Sequence, residues 1–213
     1  MDELLKNLDP VIQLLIVMAS FSLLPFVFVC MTSFLRYVIV FSILKTAMGT
    51  QQVPPGMVII GLSIILTFYT MSPVFSKMYE AGSVPYEKSG SLALAIKEGS
   101  KPLKDFMMKQ THQSDVAFFI ELAKKPPPKT PDDISIFEIA PAYILSELKT
   151  AFEIGFVIFI PFIVLDIVVA NILLALGMFM LSPTIISLPF KLLIFIAVDG
   201  WTLVVNGLVQ SFN

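Results

Sequence analysis

Residues 141–166, PAYILSELKTAFEIGFVIFIPFIVLD, decide how the rest of the chain is read. The stretch opens as a polar-edged helix carrying Glu147, Lys149 and Glu153. It then becomes an uncharged run over 154–165, interrupted by Pro161 and closed by Asp166. Ionisable groups inside lipid-grade hydrophobicity are costly, so they face a partner, a bundle interior or a water-filled path. Lys149 and Glu153 stand at i and i+4, neighbours on one helix face, whereas Glu147 and Glu153 point to different faces. A helix continuing to Met178 reaches about 55 Å at roughly 1.5 Å rise per residue, against about 30 Å of bilayer hydrocarbon. The excess predicts tilt, a kink at Pro161 or departure from the membrane plane. Such an element is built to pack among copies or partners.

Composition agrees. The chain has 213 residues, 56% hydrophobic and 14% charged, with a mean hydropathy of +0.87. Soluble domains carry about a quarter charged residues, so this reads as an integral membrane protein or an obligate subunit of a membrane complex. A net charge of −2 makes no electrostatic case for nucleic acid. The single cysteine, Cys30, excludes an intrachain disulfide and reads as a small buried hydrophobe. The opening MDELLKNLDP sets three acids against one lysine, the wrong sign for a signal-peptide n-region, so the first apolar run is expected to be retained.

Residues 11–35 are uncharged and long enough to span, with a kink expected at Pro25 and an end at Arg36. TAMGTQQVPPG then reads as a turn, and residues 57–75 form a second clean span. Residues 1–76 thus make an N-terminal helical hairpin. Residues 77–138 hold nine lysines and nine acids and read as a small soluble helical insertion. In it Ser91 caps a short helix through Glu98, and Leu103, Phe106, Met107 and Gln110 recur at helical spacing after Pro102. Val116, Phe119, Ile120 and Ala123 form a further apolar stripe. KKPPPKTPDD punctuates this segment as polyproline-type chain. Residues 139–213 make a C-terminal hairpin, with Gly177 ending the long helix and Ser182-Pro183 starting the next. The fold class is all-α, with about four apolar helical segments in two long hairpins.

Chemistry has little to work with. His112, the only histidine, lies in the lysine-rich segment with no cysteine near it and reads as a surface or cap residue. No nucleophile elbow, Walker loop or dinucleotide fingerprint occurs, and no metal or cofactor is implied. Lys191 and Asp199 stand eight residues apart, about 12 Å on a helix, too far to pair with each other. Each needs another helix, another copy or water. Glu147, Lys149 and Glu153 are read with them as an intersubunit charge network. Met178, Phe179 and Met180 follow Gly177 at the tip between two long helices, where an oligomer can gather copies around an axis; methionine is soft enough to fill irregular gaps.

Five segments carry a resemblance. PAYILSELKTAFEIGF (141–156), PFKLLIFIAVDGW (189–201) and MTSFLRYVIVF (31–41) closely resemble signature segments of the FliP/SctR family. TFYTMSPVFSKMY (67–79) and KPLKDFMMKQT (101–111) resemble its second span and soluble segment. The order is kept through nearly the whole chain. The resemblance implies an export-apparatus subunit of a bacterial type III secretion system that does no chemistry itself. It implies a pentameric ring in the inner membrane with SctS/FliQ-like and SctT/FliR-like subunits, beside an SctU/FlhB-like switch protein and an SctV/FlhA-like export gate. That ring is the entry portal for unfolded secreted proteins, and much of it is raised toward the periplasm. Flagellar members are usually preceded by a cleavable leader, which favours the injectisome branch here.

The resemblance also puts Met178, Phe179 and Met180 at the family's methionine-rich gasket, with phenylalanine in the middle place. It implies a periplasmic 77–138, whereas the lysines of that segment argue for the cytoplasm by the positive-inside rule; the family expectation is preferred. The rival reading is a small-solute or ion transporter with Glu147, Glu153 and Asp199 as a carboxylate relay.

Overall fold

The computed structural model describes residues 10–50, 53–124, 130 and 133–212. Among the described residues the chain forms nine α-helices and no strand. These are α1 (Pro10–Met31), α2 (Phe34–Ala47), α3 (Gly56–Ser89), α4 (Leu92–Gly99), α5 (Lys101–Gln110), α6 (Gln113–Leu122), α7 (Ile136–Ala175), α8 (Pro183–Ala197) and α9 (Gly200–Gln210). The all-α expectation holds. Two helices, α3 and α7, are long and apolar enough to cross a membrane, and two broken pairs, α1 with α2 and α8 with α9, bring the number of candidate spans to as many as four.

The first break is displaced from its expected position. α1 runs on through Pro25, and the helix stops instead at Thr32 and Ser33. Thr32 takes over the backbone bonding there: its Oγ1 donates to the Phe28 carbonyl at 2.5 Å and accepts from the Phe34 N–H at 3.4 Å. Serine and threonine hydroxyls compete in this way with the helical ladder. Arg36 does not end a helix. It lies in the first turn of α2, 2% exposed, which the sequence reading of a span-terminating arginine did not anticipate.

Contacts divide the chain into two compact units. One takes the described residues up to Leu35 together with Thr67–Glu147; the other takes Arg36–Leu66 and the chain from Leu148 onward. The boundaries read from composition, 76 and 138, both fall inside helices, in α3 and α7.

In the first unit, Ser91 accepts from the Leu94 N–H at 3.4 Å and starts α4 as expected. α3 and α4 approach backbone to backbone: a Cβ added at Gly99 would stand 3.2 Å from the Met78 carbonyl oxygen and 3.4 Å from Gly82 Cα. Pro102 lies in the first turn of α5, which buries Leu103, Phe106 and Met107. Phe106 meets Tyr143 of α7 with ring centroids 6.0 Å apart, and the Tyr143 hydroxyl donates to the Thr32 carbonyl at 2.9 Å.

α6 departs from its apolar stripe. Val116, Phe119 and Ile120 are only half-buried and Ala123 is exposed, while the residue the helix buries is Asp115. The Ser146 hydroxyl of α7 donates to Asp115 Oδ2 at 2.6 Å and accepts from the His112 N–H at 3.0 Å. One hydroxyl therefore satisfies the N-cap amide and a carboxylate in the first turn of the same helix. His112 is the N-cap residue and is exposed, with Nδ1 3.7 Å from Asp115 Oδ2.

The second unit has an aromatic and aliphatic core. Tyr37, Val40, Phe41 and Leu44 of α2 pack with Ala151 and Phe162 of α7, Phe195 of α8, and Val204 and Leu208 of α9. Gly155 lets α2 close on α7, since a Cβ there would fall 2.4 Å from Ile43 Cδ1. Arg36 is held at the far end of this core. Its Nη1 donates to the Ser211 carbonyl at 3.1 Å and hydroxyl at 2.8 Å, and its guanidinium lies 3.8 Å from the centre of the Phe212 ring.

Candidate functional site

α7, α8 and the loop between them carry most of the residues singled out in the sequence. α7 is one helix of 40 residues, continuous through Pro161 and about 60 Å long. It ends where glycine allows it to. Gly177 takes φ 73°, its N–H donates to the Leu174 carbonyl at 3.1 Å, and the Met178 N–H reaches back to Leu173 at 2.9 Å. This pair of bonds is a Schellman stop.

The loop after it is apolar and points outward. Leu176, Met178, Phe179 and Leu181 are exposed, and Met180 is fully exposed at 100%. A monomer in water gains nothing from such a tip. An assembly that gathers several tips, or an apolar medium, removes the cost.

Behind the loop lies a buried ion pair. Lys191 Nζ lies 2.7 Å from Asp166 Oδ2 and donates to the Ala47 carbonyl at 3.2 Å. The Ser187 hydroxyl donates to the other oxygen of Asp166. Lysine and serine are both buried and the carboxylate is half-buried; the ammonium is met by Asp166 and the Ala47 carbonyl, and the carboxylate by Lys191 and Ser187 of α8. Lys191 therefore finds its partner on another helix of its own chain. Asp166 was read only as the end of an apolar run. A signal was available: Asp166 and Lys191 stand at nearly equal sequence distances, 13 and 12 residues, from the middle of the 176–182 loop, as neighbours on antiparallel helices do.

The remaining charges scatter. Glu147 is fully buried, whereas Lys149 and Glu153 are exposed, in keeping with the different helix faces expected for the two glutamates. Asp199 interrupts α8 and α9 where they bend by 63°. It takes φ 50° and ψ 50° as the N-cap of α9, makes no side-chain cap bond and is exposed. With Glu153 and Asp199 both at the surface, no enclosed relay of carboxylates is formed. Among the described residues no group of three or more His, Cys, Asp or Glu could hold a metal ion. Between α7 and α8 runs an apolar groove of about 470 Å³ lined by Val168, Ile172, Phe190 and Ile194 among others.

The sequence matches the FliP family over residues 17–208. It is 45% identical over 202 residues to a flagellar biosynthetic protein FliP of Pectobacterium carotovorum, covering 94% of this chain and 78% of that one. It is 45% identical over 208 residues to the Bacillus subtilis protein of the same name, covering 97% and 94%. The Yop proteins translocation protein R of Yersinia pestis is 44% identical over 209 residues, covering 95% and 96%. Flagellar and Yop-translocation relatives thus stand at similar identity, 45% and 44% in these three. With the match extending through both units and the α7–α8 hairpin, the chain belongs to the FliP family.

Proposed function

We propose that this chain is a core membrane subunit of a type III protein export apparatus, and that copies of it form the ring-shaped entry portal for unfolded proteins crossing the bacterial inner membrane. The observation that carries the reading is the α7–α8 hairpin. Two apolar helices, tied by the Lys191–Asp166 pair, hold an exposed apolar loop with Met180 fully in the open. Relatives named for flagellar biosynthesis and Yop translocation give the process.

In this reading Met178, Phe179 and Met180 from each copy close an apolar collar. A hydrophobic constriction gates by dewetting, and thioether side chains yield to a passing chain because their rotamers are soft. The hairpins 1–76 and 139–213 build the ring with SctS/FliQ-like and SctT/FliR-like subunits. Residues 77–138 face the periplasm, and SctU/FlhB-like and SctV/FlhA-like proteins adjoin the assembly. The chain serves as conduit and seal while other components supply the energy. The test is a deletion of its gene in the native host. Secretion of the system's substrates should stop and return with the wild-type gene, while continued secretion from the deletion strain excludes the reading.

A further inference from the structure

The methionines of this chain do not share one environment. Met48, Met71 and Met107 are buried, at 3%, 0% and 0% exposed. Met178 is 46% exposed and Met180 is 100% exposed, on either side of Phe179. Both stand in the loop between the Gly177 stop of α7 and Ser182 at the start of α8. Met18 and Met57 are exposed as well, but each belongs to a helix, α1 or α3, within an apolar run. A thioether sulfur takes up an oxygen atom only where a peroxide can touch it. Burial therefore separates protected sulfurs from open ones, and the tip holds two of the open ones close together.

The reaction asks nothing further of the protein. The sulfur lone pair attacks one oxygen of hydrogen peroxide, the S–O bond forms as the O–O bond breaks, and the proton on the transferred oxygen passes to the departing one. The products are the sulfoxide and water. Sulfur loses an electron pair and the peroxide gains it. Methionine sulfoxide is polar where methionine is apolar, and reductases specific for each epimer return it to the thioether.

We propose that Met178 and Met180 are an oxidation site through which peroxide opens the apolar collar to water and small solutes. The proposal rests on the reading of the tip as a seal and adds its chemical regulation. The sulfoxide oxygen accepts hydrogen bonds from water, so two of the three collar side chains hold water where a dewetted constriction excluded it. Phe179 does not react with peroxide and keeps its bulk, which leaves the oxidised collar wet but narrow. The helices are undisturbed. The loop side chains are exposed, and the bond that ends α7, from the Met178 N–H to the Leu173 carbonyl at 2.9 Å, involves backbone alone.

The experiment uses inner-membrane vesicles from the native host that carry the assembled complex and enclose a small self-quenching dye, treated with graded hydrogen peroxide. Dye release is followed while peptide mass spectrometry reports the added oxygen at each methionine. Vesicles from a strain without the gene for this chain set the background. Met178 and Met180 should gain oxygen about tenfold faster than Met48, Met71 and Met107, and release should rise with oxygen at the tip. Met178→Leu with Met180→Leu keeps the apolar bulk and removes both thioethers, a volume-conserving exchange. These vesicles should stay tight at doses that open the wild type. Met178→Ile with Met180→Ile serves if the leucine pair does not assemble, and Met57→Leu should leak like the wild type.

Equal oxidation of tip and buried methionines overturns the proposal. So does a tight wild-type membrane with both tip sulfurs oxidised, an equal leak from the leucine or isoleucine pair, or a leak abolished by Met57→Leu. If neither pair assembles, the wild-type series decides, and release that does not follow tip oxidation overturns the proposal. The triple alanine variant of Met178, Phe179 and Met180, without peroxide, separates this from the seal reading. A leak there beside a tight oxidised wild type ends the oxidation site alone, whereas a tight triple variant ends the seal with it.

Discussion

Lys191 Nζ and Asp166 Oδ2 lie 2.7 Å apart, joining α8 to α7 at matching distances from the loop between them. The pair sets the register of the hairpin, since sliding either helix by one turn carries the ammonium about 5.4 Å from the carboxylate. Breaking a buried pair by removing one partner costs about 3–5 kcal/mol, whereas replacing both by apolar groups is often neutral. Lys191→Met alone should therefore lower the thermal stability of the purified complex sharply. Lys191→Met with Asp166→Leu should recover most of it. Equal melting of the single variant and the wild type removes the register role.

The apolar tip should act as the seal. Met178→Ala, Phe179→Ala and Met180→Ala together truncate exposed side chains that lie outside both cores, so the fold should persist. The assembled complex should then leak small solutes across the inner membrane while export continues at least in part. Uptake of a normally excluded dye reports this, against a strain that makes no complex. A membrane as tight as wild type with the triple variant assembled returns these residues to ordinary packing.

Glu153 is exposed on α7 between Phe152 and Ile154, and among the described residues its side chain has no partner. Its pairing is expected across subunits, where loss of one member of a desolvated pair costs about 3–5 kcal/mol. Glu153→Ala should abolish ring formation on native gels and leave membrane insertion unchanged. Rings of normal mobility would show that the carboxylate is a bystander.

Ser146 binds two groups of one helix start. Ser146→Ala strands the His112 N–H and takes a donor from buried Asp115, at a cost of about 1–3 kcal/mol for each unsatisfied group. Amide exchange of residues 113–122 should quicken by at least tenfold, with little change at Ala151 or Phe162 in the other core. Uniform exchange across both regions argues against a local latch.

At Gly155 even one methyl is too large. Gly155→Ala drives a Cβ into Ile43, and overpacking of this kind costs about 1–3 kcal/mol. Thermal melting should fall in the single variant and recover in Gly155→Ala with Ile43→Ala, which reopens the space. A single variant as stable as wild type means that α2 and α7 separate at no cost.

Much of this architecture could be read along the chain because its causes are local. Uncharged runs marked the long helices, since an apolar helix hides every backbone dipole within itself. Ser91, Pro102 and Gly177 marked ends, because a cap, a fixed φ and a left-handed turn act within four residues. The outward apolar tip followed from the same glycine. Arg36 defeated this kind of reading. Beside an apolar run it looked like a boundary, but its hydrogen-bond partner is Ser211, 175 residues away, and only folding brings that acceptor to it. The break at Thr32 and the burial of Asp115 under Ser146 escaped for the same reason, because a hydroxyl can bond its own backbone, another helix or water. Local sequence determines which segments become helices and where they stop. Which charge is neutralised, and by which group, is decided only when the folded chain sets donors and acceptors of distant segments within about 3 Å of each other.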